Sequence, residues 1–282
     1  MTVTDRDVRS LYLDQIRRDL TRYGMEQLVP VGWPLKTRAG LNWLVGMPML
    51  KVRNFMLVRK VPFDKEARDA GRDWPADAET MIGMQRLTSL QHCIETVLQD
   101  DVPGDLVECG VWRGGASILM RAVLAAYGDE KRNVWLCDSF EGVPPPDEEN
   151  YVADKIPRFN LGLHHAAPVL AATQEQVKAN FERYGLLDDQ VRFIPGWFKD
   201  TLHKAPIEQI SVLRLDGDLY ESTIQALEPL YPKLSPGGYC IIDDYNLEYC
   251  RKAVADYRSQ HGITAEIIDI DGYGAYWRKD SA

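Results

Sequence analysis

The sequence predicts an α/β fold in which a mostly parallel, doubly wound sheet is covered by helices on both faces. The first observation is that, from residue 105 onward, short apolar runs alternate with segments of helical periodicity. The second is the length of 282 residues at 45% apolar composition, which suffices to bury the core of one such domain with an appendage. We therefore expect a single catalytic domain.

Five apolar runs are strand candidates, and in chain order they read DLVECG, NVWLCD, VRFIPG, ISVLRLD and YCIIDD. Helical spacing predicts one helix before these strands, in TMIGMQRLTSLQHCIETVL. A further helix is predicted after each strand, beginning near Gly115, Thr173, Glu221 and Glu248, except that the helix after VRFIPG is predicted to be short or missing. The C-terminal runs ITAEIIDI and GAYWRK, joined by residues 271–274, indicate a hairpin. A final antiparallel strand is typical of the Rossmann-like class I fold of S-adenosylmethionine (SAM) methyltransferases, which we predict here.

The N-terminal region differs from the rest of the chain, and we predict a helical lid or oligomerisation region over residues 1–78 and the methyltransferase domain over 79–282. Apolar spacing predicts an amphipathic helix over Val8–Leu20 that ends at Gly24. Segment 31–60 contains six basic residues, no acidic ones and several aromatic side chains. Prolines interrupt it, so packing against a partner subunit or over the active site is favoured over a membrane surface. A stretch of this composition is a plausible contact between the subunits of a homo-oligomer.

Composition narrows the possible partners and the compartment. A formal net charge of −9 argues against a nucleic-acid binder, which needs basic contacts to phosphates, and suits a cationic ligand or a metal. The five cysteines form no C-x-x-C pair, which indicates a reducing compartment. The N-terminus lacks a signal-peptide pattern, and the longest apolar run, Trp43 to Leu50, is too short to span a bilayer. We predict a cytoplasmic protein without stable membrane insertion.

A glycine-containing turn follows the first strand of the domain, in the segment Glu108–Ser117. Glycines at a strand-to-helix turn let the backbone approach a nucleotide-like ligand, and the following helix directs its amide donors into the same crevice. The spacing G-x-x-x-G-G departs from the dinucleotide fingerprint and favours SAM over NAD. Asp138 ends the second strand, where a carboxylate can accept both ribose hydroxyls. The alternatives are a tight turn without a ligand, and an Asp138 that only caps the turn before Phe140.

Four acidic residues follow two further strand candidates: Asp216 and Asp218 after LRL, Asp243 and Asp244 after CII. The carboxyl ends of parallel strands lie along one edge of a sheet, so these side chains should converge on the cofactor crevice. Oxygen ligands without His or Cys favour Mg²⁺ or a similar octahedral cation. Asp218 is assigned to a helix start, a common role for Asp. The other three are predicted metal ligands. Asp243 and Asp244 are adjacent and face Asp216 on the neighbouring strand, an arrangement that capping alone does not explain.

Several sequence blocks follow one another through most of residues 70–245. After LYLD near the start, they are GRDWPADAETMIGMQRL, DLVECGVWRGGAS, DSFEGVPPPD, RYGLLDDQVRFIPGWFKDTL, LRLDGDLYEST and IIDDY. Through these blocks the chain closely resembles the macrocin O-methyltransferase family, whose metal- and SAM-dependent members methylate sugar hydroxyls on macrolide and aminocoumarin antibiotics. Members of this family usually self-associate, so the resemblance also implies a homo-oligomer.

This resemblance implies roles for individual residues. Asp216, Asp243 and Asp244 would bind the metal, and Asp216 would also be the general base. The residues expected around the cofactor are Thr80, Met81, Glu108, Gly110, Gly114, Ser117, Asp138 and Ser139. Two segments depart from the family pattern, 31–60 and the loop Tyr151–Ala172, and both are expected to shape the acceptor site. The acceptor is therefore the least determined part of the prediction.

The mechanism expected from these residues is chelation of Mg²⁺ by two neighbouring acceptor oxygens, with Asp216 taking the proton of the hydroxyl that is methylated. A histidine base is the rival, and the loop pair His164-His165 is the candidate. A catechol or phenol acceptor would suit the same metal mechanism. An NAD-dependent oxidoreductase would use the glycine turn and Asp138 but leave the three acids without a role, as would a non-catalytic scaffold.

Overall fold

The computed structural model describes residues 7–30, 58–147, 149–154 and 170–280. Within these ranges the strands are β1 (Gln27–Pro30), β2 (Val58–Val61), β3 (Asp105–Cys109), β4 (Val134–Asp138), β5 (Val191–Pro195), β6 (Ile210–Leu215), β7 (Leu234–Ile242), β8 (Ile268–Asp269) and β9 (Ala275–Arg278). The helices are α1 (Val8–Thr21), α2 (Lys65–Asp69), α3 (Met84–Gln99), α4 (Gly115–Tyr127), α5 (Gln174–Arg183), α6 (Phe198–Thr201), α7 (Tyr220–Leu230) and α8 (Glu248–Gln260).

Seven strands form the main sheet in the order β5-β4-β3-β6-β7-β9-β8, while β1 and β2 form a separate antiparallel pair. The five strands from β5 to β7 are parallel, and β9 runs antiparallel to β7 and β8. This confirms the predicted α/β class I methyltransferase fold with an antiparallel C-terminal strand. Strand order reverses between β3 and β6, so the ligand crevice of such a sheet is expected at their carboxyl ends.

The sheet is buried between two apolar layers. Helices α1, α3, α4 and α5 cover one face, where Leu13, Leu87 and Leu119 are all fully buried. Helices α7 and α8 cover the other face, where Leu227 and Val254 join the core. Every residue of β6 is buried, as a central strand packed on both sides requires. The crevice at the carboxyl ends of β3 and β6 is therefore supported by a sheet that is packed on both faces.

Three predicted boundaries were wrong. Helix α1 ends at Thr21 rather than at Gly24, because Arg22 adopts a left-handed backbone (φ 54°) and its guanidinium pairs with buried Glu79. Helix α3 begins at Met84 and not at Thr80, because the residues before it pack across the glycine turn. The first arm of the C-terminal hairpin is only the two residues of β8.

Some predictions fall outside the described residues. Most of segment 31–60 and most of the loop Tyr151–Ala172, including His164-His165, belong to this group. No helix in the described ranges is both long enough and apolar enough to cross a bilayer.

Candidate functional site

The glycine turn after β3 packs directly against the residue that follows β6. Gly110 (φ 86°) and Gly114 (φ 88°) have left-handed backbones. A Cβ on Gly110 would lie 1.7 Å from the carbonyl oxygen of Asp216, so only glycine fits there. The Asp216 N–H donates to the Cys109 carbonyl at 2.8 Å. The predicted cofactor turn and the predicted base therefore touch through their backbones.

A cavity of about 330 Å³ opens in front of this contact. Of the predicted cofactor residues, Met81, Gly110, Asp138 and Ser139 line it. Its other walls come from the glycine turn, the loop after β4, α6 with its preceding residue, and the start of α7. They include Trp112, Val143, Pro144, Trp197, Phe198 and Glu221. The mixture of aromatic, apolar and charged groups suits a ligand with a flat ring and polar ends.

The remaining predicted cofactor residues lie behind the cavity wall. Glu108 and Ser117 are buried and hydrogen-bonded to each other, with the hydroxyl as donor. A Cβ on Gly114 would lie 2.9 Å from Val177, so this glycine lets α5 approach the turn. Thr80 is buried, and its hydroxyl accepts the Ile82 N–H. In this structure these four residues hold the turn from behind.

Asp138 is fixed by backbone donors on both sides. Its Oδ2 accepts the N–H of Val111 at 2.6 Å and of Trp112 at 3.3 Å, and its Oδ1 accepts the N–H of Phe140 at 2.7 Å. Burial raises its pKa in spite of these donors. The cap before Phe140 therefore exists, and the same carboxylate also shapes the glycine turn. Its contact with a ribose stays a prediction.

The three predicted metal ligands converge after β6 and β7. Asp216, Asp243 and Asp244 each offer a carboxylate oxygen, and these oxygens lie within 4.8 Å of one another. Asp243 is buried, whereas the side chain of Asp216 is 28% exposed and borders the cavity. An all-oxygen set of this size is of the kind that Mg²⁺ binds through carboxylates while keeping several waters.

Two arginines that the sequence did not single out bind the same acids. Arg214 is buried in β6 and pairs with Glu108 at 2.5 Å, Asp243 at 2.6 Å and Asp216 at 2.9 Å. Arg86 of α3 pairs with Asp243 and, at 3.0 Å, with Asp271. The sequence did contain a signal for Arg214, which is an arginine inside a run of buried strand residues, two positions before an acid. A buried charge requires a partner, so such an arginine is expected to bind nearby acids.

The acids outnumber these cations. Burial and neighbouring charges raise the pKa of Asp216, and raise that of Asp244 well above its usual value. Burial and the same neighbours raise the pKa of Asp218 to about 7. The pKa of Asp243 is lowered, because its two guanidinium partners outweigh its burial. Ionising these acids together is therefore unfavourable without a further cation among them, and their all-oxygen donors fit a divalent one.

Asp218 does not begin α7, contrary to the prediction. It lies two residues before the helix with a left-handed backbone (φ 59°), and its N–H donates to Asp244 at 3.0 Å. The first helical N–H groups, of Tyr220 and Glu221, instead donate to buried Asp154 at 2.8 and 3.0 Å. The sequence could not reveal this cap, because Asp154 is 66 residues distant along the chain.

Comparison with known proteins gives the family. The profile described as Macrocin-O-methyltransferase (TylF) matches residues 9–279. Mycinamicin III 3''-O-methyltransferase of Micromonospora griseorubida is 51% identical over 225 residues, which cover 80% of this chain and 88% of that enzyme. The 8-demethyl-8-(2,3-dimethoxy-alpha-L-rhamnosyl)-tetracenomycin-C 4'-O-methyltransferase of Streptomyces olivaceus is 56% identical over 243 residues, 83% of this chain and 92% of that enzyme. The solved structure of the O-methyltransferase NovP is 44% identical, with a TM-score of 0.81 over 97% of this chain and 100% of that one.

Proposed function

The chain belongs to the macrocin O-methyltransferase family of SAM-dependent O-methyltransferases, and from this premise we propose that it methylates a sugar hydroxyl on a glycosylated natural product. The relatives named for tetracenomycin and mycinamicin substrates support this acceptor class, because they align over most of the chain. A macrolide or aminocoumarin glycoside is the kind of acceptor that we propose.

The proposed location of the reaction rests on the contact between Asp216 and the glycine turn. We propose that the cavity holds SAM, with Asp138 and Ser139 near its ribose and Met81 and Gly110 on the wall beside it. SAM supplies the electrophilic methyl group when bound. Because Asp216 contacts Gly110 and also borders the cavity, its carboxylate lies next to the place where an acceptor must meet the cofactor.

Asp216 is the proposed general base. Of the three proposed metal ligands, Asp216 is the one that lines the cavity, and its raised pKa reflects burial and the charge of Asp243, which favour acceptance of a proton. Arg214 donates to its Oδ2 at 2.9 Å and fixes its orientation. A divalent cation held by Asp216, Asp243 and Asp244 would supply charge that makes an acceptor hydroxyl more acidic. The hydroxyl then loses its proton to Asp216 as its oxygen is methylated.

The test is transfer of a labelled methyl group from SAM to a panel of glycosylated macrolides and aminocoumarins, with simple catechols as the competing class. We expect transfer to glycosides, and loss of transfer in excess EDTA with recovery on adding Mg²⁺. Full activity in EDTA would remove the metal from the proposal. Transfer to catechols alone would replace the sugar acceptor, and binding of NAD instead of SAM would contradict the methyltransferase site itself.

We also propose that the chain self-associates through its N-terminal region. The basic and apolar composition of segment 31–60 supports this proposal. Gel filtration of the full chain and of a variant without residues 1–60 tests it: the variant should elute as a smaller species than the loss of mass alone predicts. An unchanged number of subunits would contradict this use of the segment.

A further inference from the structure

Another buried carboxylate, outside the cavity, joins three separate elements. Glu79 is 2% exposed, and it lies between α2 and α3. Arg22, at the end of α1, donates to both of its oxygens at 2.8 Å. At the end of α5, Arg183 donates to Oε1 at 2.7 Å and the Tyr184 hydroxyl donates to Oε2 at 3.0 Å. We call Glu79, Arg22, Arg183 and Tyr184 the Glu79 clamp.

The backbone around Glu79 is bonded to the cofactor turn. The carbonyl of Glu79 accepts the N–H of Gly115, the first residue of α4, at 3.0 Å. A Cβ on Gly115 would lie 2.6 Å from that carbonyl oxygen, so the two backbones are in direct contact. Arg113 of the turn donates to the carbonyls of Ala76 and Ala78 at 2.7 and 2.9 Å. Residues 76–81 therefore form one surface with the turn.

Met81 lies two residues after Glu79 and lines the cavity, although the clamp residues themselves do not. We propose that Arg22 and Glu79 are positioning residues for the cofactor, which hold residues 79–81 against the glycine turn so that Met81 closes one wall of the site. This inference rests on the proposed function, in which the cavity binds SAM. It adds that the N-terminal helix α1, outside the predicted methyltransferase domain, completes the cofactor site through Arg22.

The chemistry of the clamp supports a positioning role. A carboxylate that is removed from water needs partners for both oxygens, and here each oxygen has more than one donor. The two-pronged contact from Arg22 fixes direction as well as distance, which a single ammonium donor does not. Loss of Arg22 leaves Glu79 partly unsatisfied, so residues 79–81 should leave the cofactor-competent position in part of the molecules.

The experiment measures SAM binding by calorimetry, without acceptor, in the wild-type chain, Arg22→Met and Glu79→Gln. If about one molecule in ten keeps the competent position, the Kd for SAM rises about tenfold. The kcat at saturating SAM should stay within about threefold of wild type, because binding restores the competent position. Both changes break the contact between Arg22 and Glu79, and Arg22→Met also removes the bonds from Arg22 to the carboxylate and the carbonyl of Asp77. The double variant should therefore bind SAM only about twofold more weakly than Arg22→Met.

Arg18→Met is the matched control, because it also removes an arginine near the end of α1. Arg18 pairs with Asp14 and not with Glu79. This control variant should leave the Kd for SAM unchanged. Arg22→Lys has a single donor group, so its Kd for SAM should lie between those of wild type and Arg22→Met. This conservative variant keeps the test possible if the other variants fold poorly.

Two results separate the failures. Variants that melt at lower temperature but bind SAM as wild type does, measured well below melting, would overturn the clamp and leave the proposed function intact. A wild-type chain that does not bind SAM would overturn the proposed function, and the clamp with it. A higher Kd in Arg22→Met together with an unchanged Kd in Arg18→Met supports the clamp.

Discussion

The acids at the two ends of the crevice lie on the same edge of the sheet but have different surroundings. Asp138, the last residue of β4, accepts three backbone N–H groups and so holds two turns together. Asp216, Asp243 and Asp244, after β6 and β7, lie close to one another, and Asp216 and Asp243 bind arginines that also bind neighbouring acids. All of these acids lie at strand ends, so their position does not distinguish their roles. The hydrogen-bond donors around each acid do: a carboxylate whose oxygens accept backbone N–H groups is structural, whereas one surrounded by other acids is available for a cation or a proton.

The largest effect is expected from Asp216→Asn. The amide keeps the shape of the side chain but cannot accept a proton, so methyl transfer at saturating substrate should fall by about a thousandfold or more. The variant should retain the far-ultraviolet circular dichroism of wild type. Asp189→Asn makes the same chemical change at an exposed residue and should keep full activity. Activity of Asp216→Asn within about tenfold of wild type would contradict the assignment of Asp216 as general base.

A large loss of stability is expected from Arg214→Lys. Arg214 binds three carboxylates at once, and a lysine ammonium cannot span them. Leaving buried acids without a partner should lower the free energy of unfolding by about 3 kcal/mol, measured with urea in EDTA. Arg132→Lys, at an arginine away from the acid cluster, is the control and should cost less. Equal losses would show that Arg214 is not the main counter-charge of the cluster.

Much of the site could be predicted because strand ends are visible in the sequence. Apolar runs ending in Asp216 and in Asp243-Asp244 indicated convergence, and the structure brings these acids together. Arg214, Arg86 and Glu79 were missed, because each binds partners that are distant along the chain. Glu108 is 106 residues from Arg214, Asp243 is 157 residues from Arg86, and Arg183 is 104 residues from Glu79. Strand order was also beyond prediction, since periodicity defines strands without defining their neighbours.

A moderate effect is expected from Asp138→Asn, which tests the structural end of the comparison. The asparagine amide group has one accepting oxygen, so its nitrogen must face a backbone N–H that loses its acceptor. A buried donor without a partner costs about 1–3 kcal/mol, so the free energy of unfolding should fall by that amount even without any cofactor or metal. Unchanged stability in urea unfolding would show that these hydrogen bonds do not hold the turn.

The smallest change in stability is expected from Asp244→Asn in EDTA. Burial and then the neighbouring carboxylates raise the pKa of Asp244, so an uncharged amide at this position should leave the free energy of unfolding equal or slightly higher. Adding Mg²⁺ should then stabilise the wild type and the variant to different extents. At 100 times its Kd the ion stabilises wild type by about 2.7 kcal/mol, and the variant should gain clearly less because it lacks one ligand carboxylate. An equal gain in both proteins would place the ion elsewhere, whereas a loss in EDTA like that of Asp138→Asn would show that Asp244, too, is a structural carboxylate.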